Sequence, residues 1–190
     1  VVDAASTKPF GFSRFDPGPG LGGHCIPVDP WYFAWAASRA GHPSRFVELA
    51  GEINTQMPRH VVNAVASILA QDAKDLHGSS VLVLGVAYKK NVGDVRETPA
   101  APIVEDLQER GAQVQYHDPL VPNFPKMRRH DLGLHSVPLT EQVVHDADVV
   151  LIVTDHDAID FSLVATAAKR VVDTRNVLSE AQVQGVYRRA

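Results

Sequence analysis

Cys25 is the only cysteine in the chain, and four glycines fall within the six residues Gly18-Pro19-Gly20-Leu21-Gly22-Gly23 that lead to it. An ionised thiol is a strong nucleophile. Glycine lets backbone approach a ligand closely, so Gly20, Gly22 and Gly23 are candidate substrate contacts. Asp29-Pro30 has the pattern of a helix start, Asp as N-cap and Pro at the first helical position. The helix is predicted over Trp31 to Ala40. Cys25 then sits just ahead of a positive helix terminus, a setting that favours the thiolate. The plain alternative is a buried, inert thiol, a common fate of free cysteine.

A second set of residues follows an apolar run. Val81-Leu82-Val83-Leu84-Gly85 reads as a central parallel strand, and open parallel sheets bind ligands beyond the carboxyl ends of their strands. Tyr88 and Lys89 fall there, an aromatic ring and an ammonium suited to a base and a diphosphate. Arg175 follows the predicted last strand at the same sheet edge and is a further diphosphate candidate. The run ends in one glycine and so lacks the phosphate-cradling glycines of a dinucleotide fingerprint; Gly18 to Gly23 imitate that fingerprint but have no strand before them. Asp118-Pro119 is read as a plain turn in preference to an acidic ligand position. The nine histidines are scattered, with no Cys/His ligand spacing, and no metal site is expected.

The elements that must position these residues divide at His77-Gly78-Ser79-Ser80. Residues 1–17 read as loop. Apolar residues from Phe46 to Leu69 recur at three- and four-residue steps, with a kink or break expected at Pro58. Beyond residue 78, strands and helices alternate: a helix from Pro99 to Arg110 with Thr98 as N-cap, a strand over Gln113 to His117, and a short strand near His135 to Val137. A helix over Leu139 to Ala147, a strand over Val149 to Val153, a helix over Phe161 to Ala168 and a last strand over Arg170 to Thr174 follow, then a short tail. The fold expected is α/β, a Rossmann-like doubly wound parallel sheet over residues 78–190 preceded by a mainly helical central segment over residues 1–77.

Gly18-Pro-Gly-Leu-Gly-Gly-His-Cys-Ile-Pro-Val-Asp-Pro30 resembles the active-site loop of the nucleotide-sugar 6-dehydrogenases, the UDP-glucose/GDP-mannose dehydrogenase family. Gly85-Val-Ala-Tyr-Lys-Lys-Asn-Val-Gly-Asp-Val-Arg-Glu-Thr-Pro99 resembles the first strand end and loop of that family's UDP-binding domain. The resemblance implies two oxidations at C6 of a UDP-sugar by NAD, with Cys25 holding the sugar as thiohemiacetal and then thioester. It implies water or proton handling by Asp29, UDP contacts at Tyr88 and Lys89, and an NAD contact at Arg96, whose other reading is a surface ion pair with Glu97 or Asp94. NAD itself is expected on a separate N-terminal domain. The details are most similar to UDP-N-acetylhexosamine dehydrogenases of surface-polysaccharide pathways, with UDP-glucose the alternative substrate and a homodimer or higher homo-oligomer as the assembly. The rivals from other classes are a non-catalytic nucleotide-binding or dimerisation module and a cysteine hydrolase, for which no general-base histidine is recognisable.

Bulk properties narrow the field. A net charge of −4 offers no polybasic footprint for nucleic acid. No apolar run approaches the ~20 residues of a membrane span. No signal peptide is visible, and a lone cysteine suits a reducing cytoplasm. The absence of an initiator Met suggests a fragment. The 190-residue chain by itself is therefore expected to bind no NAD and to have no dehydrogenase activity while retaining weak UDP-sugar affinity; NADH formation with a UDP-sugar by this chain alone would overturn that expectation.

Overall fold

Continuous apolar runs need cover on both faces, and the chain supplies it. The computed structural model describes all 190 residues, Val1 to Ala190. Strands β1 (Ser80–Leu84), β2 (Gln113–His117), β3 (Val149–Ile152), β4 (Arg170–Asp173) and β5 (Val186–Arg189) form one sheet, order β2-β1-β3-β4-β5. All four pairings are parallel, with Val83 opposite Tyr116 on one side and Leu151 on the other. Successive strand residues face opposite sides. Val81, Val83, Val149 and Leu151 enter one core, while Leu82, Leu84, Val150 and Ile152 enter another. Helices α3 (Arg45–Ala70) and α4 (Ala100–Glu109) cover the first face; α5 (Glu141–Asp146) and α6 (Phe161–Ala167) cover the second. This is the doubly wound α/β arrangement the alternation implied.

Several local expectations need correction. A short helix, α1 (Val2–Ala5), lies in the stretch read as loop, and α2 runs Asp29–Arg39 rather than Trp31 to Ala40. Val28 is the N-cap of α2 and Asp29 its first residue, so Asp29 does not cap it. Pro99, not Thr98, occupies the N-cap position of α4, although the Thr98 hydroxyl still accepts the Ala100 N–H. The strand expected near His135 reduces to isolated bridges at His135 and Ser136. The tail contains β5, whose residues are exposed or half-buried at the sheet edge and so lack a strand's apolar signature.

Pro58 does not break α3, which runs through it. An interior proline costs about 3 kcal/mol. The C-terminal half of the same helix buries Val61, Val62, Ala64, Val65, Ile68 and Leu69 against the sheet. At roughly 1.5–3 kcal/mol for each large apolar side chain, that burial outweighs the local penalty. It also means that residues 61–69, which precede the expected division at residue 77, pack with the sheet. The N-terminal half of α3 projects beyond it and pairs with α2. Gly51 lets the Trp31 indole lie directly on α3, where a side chain would clash with the ring. Trp31, Tyr32, Phe33, Trp35, Phe46, Leu49 and Ile53 all remain substantially exposed on this pair.

Candidate active site

From β1 the chain crosses to β2 on one side and later enters β3 on the other, which opens a crevice at the carboxyl ends of β1 and β3, the place where such sheets bind ligands. Gly85 takes φ +74° there and packs on the Thr154 carbonyl with no room for a side chain. Thr154 Oγ1 donates to the Ala87 carbonyl at 2.6 Å, and Thr98 Oγ1 donates to the Val86 carbonyl at 2.8 Å. The walls are thus bonded together beneath Tyr88.

Asp118 is not a mere turn residue. It is 2% exposed and its Oδ2 accepts the N–H groups of Val86 at 2.7 Å and Ala87 at 3.2 Å. Its Oδ1 accepts those of Leu120 at 2.8 Å and Val121 at 3.1 Å. Burial pushes this carboxyl up, but hydrogen bonds from His156, Val86 and Leu120 prevail and hold it below the usual carboxylate range. The alternating apolar pattern around it concealed this role, because Asp-Pro is also ordinary turn chemistry.

The cysteine loop lies across this edge. Gly23 N–H donates to the Arg96 carbonyl at 2.9 Å, and Leu21 N–H donates to Asn54 Oδ1 of α3 at 2.8 Å. A Cβ at Gly22 would stand 2.5 Å from Tyr88 Cβ and 2.8 Å from the Glu97 carbonyl; one at Gly23 would stand 2.9 Å from the Tyr88 ring. A Cβ at Gly20 would stand 3.0 Å from Pro99 Cβ, and Gly18 lies against the Arg175 guanidinium. The glycines therefore serve close approach to protein. Sequence pattern marks Asn54 only as a polar side chain amid the apolar steps of that helix.

Cys25 is exposed. Its carbonyl accepts the Val28 N–H at 3.0 Å and the Asp29 N–H at 2.8 Å, so Asp29 lies one helical turn beyond the thiol. Tyr88 is half-buried and Lys89 exposed. The neighbouring Lys90 instead pairs with Asp157 at 2.7 Å and Asp155 at 3.5 Å. The exposed Arg96 guanidinium meets Asp94 at 2.7 Å, which raises it, with Tyr88 and Cys25 adding in the same direction. Arg175 donates from Nε to the Val153 carbonyl at 2.7 Å and reaches no carboxylate within ion-pair distance. Burial lowers it despite Asp155 and Asp173 nearby. The fold thus gathers the cysteine loop, Tyr88, Arg96 and Arg175 at one edge.

No group of three His, Cys, Asp or Glu side chains is placed to hold a metal. The sheet does not fit a dinucleotide either, since the only glycine at the end of β1 is filled by Thr154. An open groove of about 480 Å³ lined by Pro27, Val28, Trp31, Tyr32 and Trp35 adjoins the cysteine loop. It offers no convergent polar groups and continues the apolar face of α2.

The UDP binding domain of the UDP-glucose/GDP-mannose dehydrogenase family matches residues 82–180, and the central domain of that family matches residues 1–56. UDP-N-acetyl-D-mannosamine dehydrogenase of Methanococcus vannielii is 32% identical over 172 residues, 86% of this chain and 37% of that protein. The UDP-D-ManNAc dehydrogenase structure from Pyrococcus horikoshii aligns with a TM-score of 0.79 at 27% identity, covering 99% of this chain and 42% of that one. The NDP-N-acetyl-D-galactosaminuronic acid dehydrogenase structure from Methanosarcina mazei gives 0.79 at 27%, covering 98% and 43%. The chain spans little more than a third of the length of the curated relatives it matches.

The glycine contacts yield a prediction. Gly22→Ala must displace backbone and the Tyr88 Cβ, and should cost about 1–3 kcal/mol of stability in denaturant unfolding. Gly18→Ala meets only a flexible guanidinium end and should cost less. Equal losses would show that the loop does not bear on Tyr88 as described.

Proposed function

Because the chain belongs to the UDP-glucose/GDP-mannose dehydrogenase family, we propose that it forms the substrate side of an NAD-dependent UDP-sugar 6-dehydrogenase, acting on a UDP-N-acetylhexosamine. The observation that supports this most directly is that the loop bearing Cys25 rests on Tyr88 and Arg175, so a nucleotide at the sheet edge would present its sugar to the thiol. Names of the relatives favour an N-acetylhexosamine over glucose, with N-acetylmannosamine foremost.

Tyr88 offers a face for the uracil, and Lys89 with Arg175 offers charge to the diphosphate. Arg175 is the more directional of the two, because its planar fork is anchored through Nε at the Val153 carbonyl. Gly20, Gly22 and Gly23 hold the loop low enough for its backbone to line the sugar. Cys25 Sγ adds to the aldehyde carbon that the first oxidation leaves at C6, forming a C–S bond and a thiohemiacetal. After the second oxidation the thioester is attacked by water, the thiolate leaves, and Asp29 takes up the proton. Both oxidations need a hydride acceptor, by resemblance NAD; Arg96 is the one residue of this chain proposed to reach it. In this reading residues 1–77 form an active-site and assembly segment, docked on the sheet through residues 61–69, and residues 78–190 form a UDP-binding domain.

Two measurements test this reading. Lys89→Ala should weaken UDP-sugar binding about tenfold in calorimetry, a 1.4 kcal/mol change, whereas Cys25→Ser should leave binding unchanged and abolish uronate formation in a dehydrogenase containing this chain. Uronate formation by the serine variant would remove Cys25 as the nucleophile, whereas a wild-type protein that binds the nucleotide and forms no uronate would leave only a nucleotide-binding or dimerisation role. We also propose a second copy as the cover of the apolar face on α2 and α3, since so many contiguous large side chains seldom face solvent. Phe46 is 89% exposed, so Phe46→Glu should spare the fold and reduce the mass seen by light scattering; a monomeric wild-type protein would refute the assembly.

A further inference from the structure

His156 is completely buried, titratable, and used by no step above. It follows β3 inside the crevice. The Asn91 backbone N–H donates to its Nδ1 at 2.9 Å, and its Nε2 lies 3.2 Å from Asp118 Oδ2. A neutral imidazole has one acceptor nitrogen and one donor. Only a lone pair can receive the Asn91 N–H, so Nδ1 is bare and Nε2 holds the proton, directed at the Asp118 carboxylate. Asn91 takes a left-handed φ of 59°. Its side chain donates to Asp157 at 2.6 Å and accepts the Asp157 N–H at 2.9 Å. The turn that presents Tyr88 and Lys89 is therefore fastened at its far end by a bond that requires a neutral ring.

We propose that His156, oriented by Asp118, is a positioning residue that sets the Tyr88–Asn91 turn at the nucleotide edge and releases it when the ring is protonated. The inference deepens the UDP-sugar reading above and rests on it. A proton on Nδ1 would oppose the Asn91 N–H with a second N–H, so an acceptor is lost and two donors collide. The charged groups around the ring are Asp118 from the segment after β2, Asp155 and Asp157 in its own loop, and Lys90 from the turn after β1. The three carboxylates attract an imidazolium and Lys90 repels it.

The test takes the labelled full chain from about pH 8 into acid and reads the protonation of the ring directly from its nitrogen resonances; a ring that stays neutral until the chain unfolds would overturn the release. Nitrogen resonances of the His156 ring and the Asn91 amide are followed beside calorimetric affinity for UDP-N-acetylmannosamine and UDP-N-acetylglucosamine, whose diphosphates are esterified at both ends and keep their charge. At the upper pH the ring should show bare Nδ1 and protonated Nε2. On acidification the Asn91 amide should shift together with the ring, and affinity should fall about five- to tenfold, the worth of one lost hydrogen bond. His156→Asn keeps an acceptor where Nδ1 stands, so it should bind nearly as well as wild type and lose the acid decline. His156→Gln keeps a donor for Asp118 but no acceptor for Asn91, and should bind about five- to tenfold more weakly at every pH. A proton on Nδ1 at the upper pH, ring protonation without a response at Asn91, or equal losses in both variants would each overturn the proposal. If no UDP-sugar binds at any pH, the nucleotide reading fails, and the ring and amide signals decide separately whether the turn is held.

Discussion

The carboxylate of Asp118 receives two backbone N–H groups from the turn after β1, two from its own loop, and the ring of His156 from the loop after β3. A buried charge survives only when fully met in this way. Its partners gain as much as it does, because four backbone donors at the sheet's open end would otherwise be left without acceptors. The carboxyl is held below its ordinary value. Its stabilisation is therefore complete above the usual carboxylate range and is lost as pH falls through the lowered value. One side chain thereby fixes the relative positions of three strand ends.

What lies above this knot depends on it. Tyr88 stands on the turn that Asp118 and His156 hold, and the cysteine loop is low enough to touch Tyr88 only because Gly22 and Gly23 lack side chains. The same loop is tied to α3 through Leu21 and Asn54 and to the β1 turn through Gly23 and Arg96. Movement at the nucleotide edge must therefore reach the backbone next to Cys25. Arg175 completes the edge from the other side: it is partly desolvated, anchored at Nε and pressed by Gly18. A cation held this way is already oriented for an anion.

Helix α3 joins two environments in one element. Its C-terminal half is interior, sealed against the sheet, whereas its N-terminal half and α2 display aromatic and aliphatic side chains outward. An uninterrupted helix through Pro58 makes the connection stiff. Whatever covers the outer half is therefore held in a defined direction relative to the nucleotide edge and the Cys25 loop.

Local pattern in the sequence was enough for the parallel sheet, for its two covered faces and for the two motifs that name the family. Apolar runs such as Val81 to Leu84 and Val149 to Val153 are short-range signals, and period and length alone separate them from helix. The cysteine loop was legible for the same reason, as a lone thiol after dense glycine. Tertiary structure decided what those glycines face, which lysine is paired, and that Asp118 and His156 meet across 38 residues of sequence. It also decided that Pro58 is tolerated and that Val186 to Arg189 completes the sheet. These depend on long-range burial and on pairing of polar groups that alternate as turn or surface residues along the chain. Nothing in the immediate neighbours of Asp118 reveals which distant N–H groups it will receive, because that partnership exists only once β1, β2 and β3 lie side by side.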